Sequence, residues 1–450
     1  SVAIGYLALA TQNADVDNLN TAVGFEAGKA VTTGVDNTLI GALAGDALTD
    51  ADYNVAIGIN ALGSDTLGSR SVAVGRHALA TQNFTSATNA YNTAVGYSAG
   101  IQITTGVQNT LIGGDAGDAI TTGDQNVAVG YVALSGVTTG TGNIGIGSDA
   151  GAAITTASNN TLMGFAAGDA ITTGHSNTSV GKSSLSATTT GLGNTAIGIQ
   201  ALEDNTTANY NTAVGRLALT NNTTGNENTA VGNGALSTNI DGDRSVAVGY
   251  NALATQEPAS NVDMYNVAVG HSAGALLTTG IENTLIGGLA GDAITVGEYN
   301  IALGARALSG DTKGSQNIAI GAYALTTQNF TTATASHNVV VGTNAGRYIT
   351  TGVQNTLIGG LTGDALTDAD YNVAVGIEAL SADTLGSGST AIGRNALSTQ
   401  NFTTATTTYN TAVGDRAGLA VTTGTLNTLI GGLAGDAINT GTHNTVVGYS

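Results

Sequence analysis

The chain has 450 residues, a formal net charge of −20, only 11 lysines and arginines, and no cysteine. This composition excludes disulfides and thiolate metal sites. It also argues against nucleic acid or an anionic membrane surface as a partner, because both attract basic patches. No apolar run approaches the ~18 residues of a transmembrane helix, so we expect no membrane insertion by this segment.

A five-residue unit organises the whole sequence. It consists of Asn or Ser, a β-branched residue, a usually small residue, an aliphatic residue and Gly, and it occurs 26 times. Most intervals between its glycines equal that from Gly24 to Gly41, a 17-residue period, and the others are two or four residues longer. We therefore predict one continuous repeat array over residues 1–450 with no separate globular domain. Because the array starts and stops in mid-pattern, we expect it to be a segment of a longer protein.

Each repeat unit is predicted to form one coil of a solenoid. The β-branched and aliphatic positions alternate as in a short strand, and the glycine marks a turn. A following segment such as Ala-Ile-Thr-Thr-Gly predicts a second short strand. Two strands and two turns in so short a period predict an all-β fold, a parallel β-solenoid (β-roll) in which the leading Asn or Ser side chains stack into a ladder. At about 4.8 Å per coil, the rod would be roughly 120 Å long.

The middle residue of the strand leads to a prediction of oligomerisation. It is Ala in most units, Leu at positions 39, 111, 162, 285, 357 and 429, and it is never charged. An uncharged residue at this position suggests that both faces of the strand are buried, as in a sheet covered on each side. We therefore expect the Ala face to be buried between copies of the chain in a homotrimeric rod.

Four units are four residues longer than the common period and carry their additional residues after Thr-Gln. They begin at the glycines at positions 75, 249, 321 and 393, and the last three of these are evenly spaced, four coils apart. Insertions in solenoids form loops on one face, which is frequently the binding face. Phe84, Phe330 and Phe402 lie in three of these loops, and we predict that they contact a receptor. The alternative is that the three rings pack against the coil and close the insertion.

Three other motifs suggest different functions. Gly-x-Ser-x-Gly at residues 96–100 and 270–274 matches the nucleophile elbow of serine hydrolases. However, Ser98 and Ser272 occupy a position that varies among units, so we predict that the chain is not an enzyme. The Gly-Asp-Ala triplets hint at calcium, but their spacing differs from that of the calcium-binding nonapeptide, and we predict no metal ligands and no cofactor. Stacked Thr pairs give an ice-binding alternative, although Asp50, Lys313 and Asp368 interrupt the second Thr position.

The motifs also resemble a known family. SVAIG at 1–5, NTAVG at 92–96, NTAIG at 194–198 and SVAVG at 245–249 resemble the head repeat of trimeric autotransporter adhesins, the YadA-like left-handed parallel β-roll. The longer pattern N-T-x-I-G-x-x-A-G-x-x-x-T-T-G is similar to repeats in bacteriophage tail-fibre shafts. The resemblance covers the whole chain and implies a trimeric, non-enzymatic extracellular fibre, on a bacterial surface or a virion tail, that attaches to a host glycan or protein receptor. The adhesin unit is usually shorter than the unit of this chain, and bacterial and phage origin both stay open.

Overall fold

The computed structural model describes residues 1–13 and 17–449, and it is an all-β parallel β-solenoid of about 26 turns built mostly from 17-residue coils. The described residues contain no helix. The chain divides into two compact units, Ser1–Thr224 and Gly225–Ser450, each of which is a stack of such coils. The predicted parallel β-solenoid is confirmed.

The strands of the first unit are two or three residues long. They are β1 Val2–Ile4, β2 Thr21–Val23, β3 Thr38–Ile40, β4 Val55–Ile57, β5 Gly68–Ser69, β6 Val72–Val74, β7 Thr88–Asn89, β8 Thr93–Val95, β9 Thr110–Ile112, β10 Val127–Val129, β11 Ile144–Ile146, β12 Thr161–Met163, β13 Thr178–Val180, β14 Thr195–Ile197 and β15 Thr212–Val214. Each three-residue strand lies on the predicted motif, and from β1 to β14 each pairs in parallel with the next three-residue strand along the chain.

The strands of the second unit follow the same rule. They are β16 Thr229–Val231, β17 Gly242–Asp243, β18 Val246–Val248, β19 Val262–Asp263, β20 Val267–Val269, β21 Thr284–Ile286, β22 Ile301–Leu303, β23 Gly314–Ser315, β24 Ile318–Ile320, β25 Thr334–Ala335, β26 Val339–Val341, β27 Thr356–Ile358, β28 Val373–Val375, β29 Gly386–Ser387, β30 Thr390–Ile392, β31 Thr406–Thr407, β32 Thr411–Val413, β33 Thr428–Ile430 and β34 Thr445–Val447. The two-residue strands pair at the four insertions, β5 with β7, β17 with β19, β23 with β25 and β29 with β31.

The middle residue of the strand lies inside its own coil, which corrects the expected orientation. Ala94 of β8 is paired with Leu111 of β9, and both are 0% exposed in the single chain. The residues on either side of Leu111 point outwards, and Ile112 is 41% exposed. The prediction that the Ala face is buried between chains was therefore wrong. Alternate residues of a strand face opposite sides, and small middle residues suit the narrow interior of one coil.

Among the described residues, the predicted second strand is also absent from the coils of common length, apart from the two-residue strands β5, β17, β23 and β29 that precede the insertions. The segment after Ile103 forms bends instead, although Ile103 itself is fully buried. The amides of Thr104, Thr105 and Gly106 all donate to one acceptor, the carbonyl of Thr121, at 2.9, 3.3 and 3.3 Å. Three successive donors that converge on one carbonyl turn the chain, so a regular ladder cannot continue there.

The interior is filled by side chains that complement one another between coils. Six strands have Leu as their middle residue. Each of these leucines lies between two glycines, one in the coil before and one in the coil after. Both glycines lie four residues after the closing glycine of their motif. At Leu111 these are Gly100 and Gly117, and a Cβ at either would lie 2.6 and 2.8 Å from the Leu111 methyl carbons. In the other coils the same position is Leu and the middle strand residues are mostly Ala. Each coil is therefore packed either with Gly or with Leu at this position.

The predicted ladder of amide side chains is confirmed. Asn109 donates from Nδ2 to the Gly123 carbonyl at 2.9 Å and to Asn92 Oδ1 at 3.3 Å. Its own Oδ1 accepts the backbone amide of Asn126 at 2.9 Å. The side chain is fully buried and its polar atoms are bonded, so it stabilises the coil without leaving an unpaired group inside.

Candidate interaction surfaces

Each insertion loop is held at its base by a buried polar network. Asp65 Oδ1 accepts the backbone amides of Gly68 and Phe84 at 3.0 and 3.1 Å. Asp65 Oδ2 accepts the side-chain amide of Gln82 at 2.6 Å, and Gln82 also donates to Ser71 Oγ at 3.0 Å. Buried carboxylates are costly unless they are hydrogen-bonded, and here both oxygens are. The network therefore fixes the start of the loop to the preceding coil.

The same network recurs at the other two loops that carry Phe. Asp311 and Asp383 accept the backbone amides of Phe330 and Phe402 at 3.2 and 3.0 Å, and each also accepts a Gln side chain. The fourth loop has Asn239 in place of the aspartate, and its Oδ1 accepts Gln256 Nε2 at 3.1 Å. Sequence reasoning missed these aspartates. Their signal is an Asp one coil before the Gln, at an interior position that is aliphatic in many other coils.

The three predicted contact residues are buried. Phe84, Phe330 and Phe402 are only 5–6% exposed, which favours the alternative in which the rings close the insertion. The exposed loop residues are instead small and polar or methyl-bearing. They are residues 85–87, 331–333 and 403–405, with the sequences Thr-Ser-Ala, Thr-Thr-Ala and Thr-Thr-Ala. Contact between these loops and a receptor stays a prediction, and it would be made by these residues.

An apolar stripe covers the outer face of the strands. We define the outer strand face as the residues three and one before, and one after, the closing glycine of each motif. The position before the glycine is always aliphatic, and Ile40, Ile112 and Ile197 are 38–41% exposed. In the first unit the position after the glycine is Tyr, Phe or Ile in seven coils, and the rings of Tyr6 and Phe25 stack 5.5 Å apart. Arg76, Lys182 and Arg216 occupy the same position in other coils, so the face combines exposed apolar side chains with single cations. Exposed apolar patches of this kind mark interaction sites.

The Thr pairs form a regular column in the first unit. Thr104 Oγ1 donates to the carbonyl of Thr121, and Thr121 Oγ1 to that of Thr138, at 3.1 and 3.0 Å. The second Thr of each pair is exposed in eight consecutive coils, at positions 105, 122, 139, 156, 173, 190, 207 and 224. The first Thr of these two pairs therefore hydrogen-bonds between coils, whereas the second faces solvent.

The Ser residues of the Gly-x-Ser-x-Gly motifs lie in turns. Ser98 has φ +52° and is 6% exposed, and its amide donates to the Arg76 carbonyl at 2.9 Å. Ser272 has the same φ, and its neighbour His271 stacks on the ring of Tyr250 at 5.1 Å. Among residues 1–13 and 17–449, neither hydroxyl is hydrogen-bonded to a histidine. The prediction that the chain is not an enzyme stays a prediction.

Five of the Gly-Asp-Ala triplets, not including that at Asp436, hold a carboxylate with an unpartnered buried oxygen. Oδ1 of Asp118 is buried without a hydrogen-bond partner, as is Oδ1 at Asp46, Asp169, Asp292 and Asp364. Burial, followed by the nearby charge of Asp115, raises the pKa of Asp118, and the backbone amides of Asp118 and Ala119 offset this only in part. In the described part of the chain no three His, Cys, Asp or Glu side chains are grouped as metal ligands would be.

These carboxylates give a testable pH dependence. Because the pKa of Asp118 is raised by folding, its charged form destabilises the folded state at neutral pH, and this penalty is lost as the pH falls through the raised pKa. We expect Asp118→Asn to raise stability at pH 7 by up to about 1 kcal/mol and to have little effect at pH 3. Thermal unfolding at both pH values measures this.

Asp124→Asn is the matched control for that experiment. Asp124 Oδ1 accepts the Val107 amide at 2.8 Å, and the side-chain oxygen of Asn can accept the same hydrogen bond, so the replacement is expected to give no gain at pH 7. Equal behaviour of the two variants at pH 7 would show that the unpartnered oxygen of Asp118 has no energetic consequence.

No model of a known protein family matches this chain, and no curated protein matches it in sequence. The resemblance of the motifs to YadA-like head repeats and tail-fibre shafts therefore stays an expectation. The described residues contain no helix long and apolar enough to cross a membrane. Any functional assignment depends on the coil geometry and on the surfaces described above.

Proposed function

We propose that the chain is a non-enzymatic structural and adhesive fibre segment that acts outside the cell as a homotrimer. The observation that carries the proposal is the outer strand face. The interior of each coil is completed by its own chain, because Ala94 and Leu111 are fully buried without any partner. Some of the outward aliphatic residues, in contrast, remain about 40% exposed, as at Ile112 and Ile197, and most of the outward valines are half-buried. A second and a third copy of the chain would cover this stripe.

A charge on the outer strand face tests the proposal. In the variant Ile112→Asp/Ile146→Asp, two carboxylates would be forced into the interface, and a buried unpaired charge costs several kcal/mol. We expect the oligomer to dissociate in sedimentation while the far-UV circular dichroism is unchanged. The control Thr122→Asp/Thr139→Asp places the same charges on the exposed Thr column and should leave the oligomer intact. Dissociation of both variants, or of neither, would contradict the assignment of the interface.

The adhesive part of the proposal rests on the insertion loops. Their exposed Thr, Ser and Ala residues carry hydroxyl and methyl groups on rigid bases, which suits contact with a host glycan or protein. We expect that shortening the loops at residues 85–87, 331–333 and 403–405 abolishes binding on a glycan array or to host cells. Shortening the fourth loop at residues 259–261 is the control for altered folding. Unchanged binding after the triple truncation would remove these loops from the contact.

The second candidate function is ice binding. It is favoured by one observation, the exposed Thr column that continues through eight consecutive coils from Thr105 to Thr224. A regular array of outward methyl and hydroxyl groups can order water. Thermal hysteresis of the purified protein tests this alternative, and Thr156→Lys should abolish any hysteresis. A protein that shows no hysteresis is not an ice binder.

A further inference from the structure

The chain contains two closely similar segments, and one of the positions at which they differ lies between two exposed tyrosines. Residues 41–96 and 359–414 align without a gap, so that Tyr53 corresponds to Tyr371 and Tyr91 to Tyr409. Between the two tyrosines, Arg70 of the first segment corresponds to Gly388 of the second. These residues lie at the same place in successive coils, five residues before the closing glycine of the motif.

In the first segment the Arg70 guanidinium lies between the two rings. Its Cζ is 4.8 Å from the ring centre of Tyr53 and 5.9 Å from that of Tyr91. Its Nε donates to Asn89 Oδ1 at 3.0 Å. Guanidinium groups stack on aromatic faces in this way because they are planar, delocalised and weakly hydrated. The chain thus shows what this arrangement of tyrosines accommodates.

In the second segment the backbone is the same but the side chain is missing. Gly388 has φ +74° and Arg70 has +65°, and each amide donates at 3.0 Å to an equivalent carbonyl, that of Asp370 or Asp52. Tyr371 and Tyr409 are 59% and 64% exposed, whereas Tyr53 and Tyr91 are 48% and 51% exposed. A cleft of about 390 Å³ opens between the two rings, lined by Asp370, Tyr371, Ser387, Gly388, Thr407 and Tyr409.

The lining of this cleft suits a planar cation. The Asp370 carboxylate lies at its edge and uses Oδ1 to accept the Val353 amide at 2.8 Å. Thr407 replaces Asn89 and offers a hydroxyl acceptor at the same place. The chain as a whole carries a net charge of −20, which attracts cations.

A third pair of tyrosines in alternate coils has an acidic residue at the position between its members. Tyr265 and Tyr299 occupy the same position of the coil as the other two pairs, and Glu282 lies between them in sequence. Of the three tyrosine pairs, only the pair Tyr371 and Tyr409 has a glycine, Gly388, at the position between its members, and so no side chain there.

We propose that the cleft between Tyr371 and Tyr409 binds the guanidinium group of an arginine side chain from a partner polypeptide. The guanidinium stacks between the two rings, as Arg70 does between Tyr53 and Tyr91, and donates to the Asp370 carboxylate and the Thr407 hydroxyl. A lysine ammonium is a compact and strongly hydrated charge without a planar face, so it fits the cleft less well. This proposal is independent of the fibre proposal, since it depends only on residues of the second unit that line the cleft between two tyrosines in alternate coils.

A titration of the full chain labelled with 3-fluorotyrosine tests the proposal. The probe is the blocked peptide Ala-Arg-Ala, and its binding is followed through the ¹⁹F resonances of the labelled tyrosines. The variants Tyr371→Phe and Tyr409→Phe identify which resonance belongs to each of the two tyrosines. We expect both resonances to shift saturably, with a dissociation constant on the order of 10 mM for a site built from exposed cation–π contacts. The matching citrulline peptide, which is neutral and of the same shape, should bind several-fold more weakly, and so should the lysine peptide.

Two substitutions make the test reciprocal. Gly388→Arg should fill the cleft with the chain's own guanidinium and abolish the shifts of Tyr371 and Tyr409. Arg70→Gly should open a second cleft, so that Tyr53 and Tyr91 respond to the same peptide. Circular dichroism confirms folding, and the two variants lie in different units and fail independently. The absence of saturable shifts in the unsubstituted chain, equal shifts with the citrulline peptide, or retained shifts in Gly388→Arg would each overturn the proposal.

Discussion

Leu111→Ala is expected to destabilise the surrounding coils by about 3–4 kcal/mol. The Leu111 side chain fills the space over both Gly100 and Gly117, and its removal leaves a cavity that neither glycine can fill. Stability in a repeat array is local, so the loss should appear as faster amide hydrogen exchange in peptides covering residues 105–122. Distant coils, such as those around Leu39, should exchange at their original rates.

The same interior should accept a complete exchange of packing type. Two interior positions vary together, the position four residues after the closing glycine and a second position three residues further on. All twelve coils with Gly at the first position have Val, Ile or Leu at the second. In the coils with Leu at the first position, the second residue is smaller or polar, as at Val137. The variant Leu111→Ala/Gly100→Leu/Gly117→Leu/Ile103→Val/Ile120→Val reproduces the order Leu62, Ala73, Leu79 of two successive coils, with Val at the second position as at Val137.

The exchange removes five side-chain carbon atoms and adds eight, and overpacking a core in this way typically costs about 1–3 kcal/mol. Leucine is tolerated at this left-handed position, since Leu79 has φ +50°. We therefore expect the fivefold variant to recover part of the protection that Leu111→Ala loses. If its hydrogen exchange were as fast as that of Leu111→Ala, the two packing types would not be interchangeable.

Phe84→Ala is expected to release its insertion loop, at a local cost of about 3 kcal/mol. The ring is 5% exposed and lies against Gly68, where a Cβ would be 2.7 Å from the ring. The loop backbone is further held by Asp65 and by Thr66, whose Oγ1 donates to the Phe84 carbonyl at 2.9 Å. Faster hydrogen exchange and proteolysis within residues 84–92 would report the release.

Thr85→Ala is the matched control for the loop. Thr85 is exposed, so its replacement should leave hydrogen exchange unchanged. A receptor that contacts the loop surface should instead respond to Thr85→Ala directly. Unchanged exchange in Phe84→Ala would contradict the closing role of the ring.

The sequence was sufficient to predict the coil, the position of its strand and the Asn ladder, because each has a strict repeat. It did not predict which face of the strand is internal. An alternation such as Thr110-Leu111-Ile112 has apolar residues on both faces, and small middle residues fit either a narrow coil or a close contact between chains. Nor does it predict the left-handed backbone at Leu79, because residues other than glycine rarely adopt that conformation.

The polar network at the base of the loops could not be predicted from the sequence for a different reason. Asp65 and Gln82 lie one coil apart in sequence, and their contact at 2.6 Å exists only because one coil stacks on the next. Similarly, the cleft at Gly388 is recognisable only when it is compared with Arg70 in an equivalent coil. Which side chains touch between coils depends on how residues of one coil align with those of the next. That alignment is known only once the coils are stacked in three dimensions.

The central claim is that the outer strand face is covered by other copies of the chain. The mass of the unmodified protein in solution, from multi-angle light scattering or native mass spectrometry, tests it most directly. We predict the mass of three chains of 44.1 kDa each, unchanged on dilution. A stable species of 44.1 kDa would mean that the apolar stripe is exposed in a monomer, and it would contradict the claim.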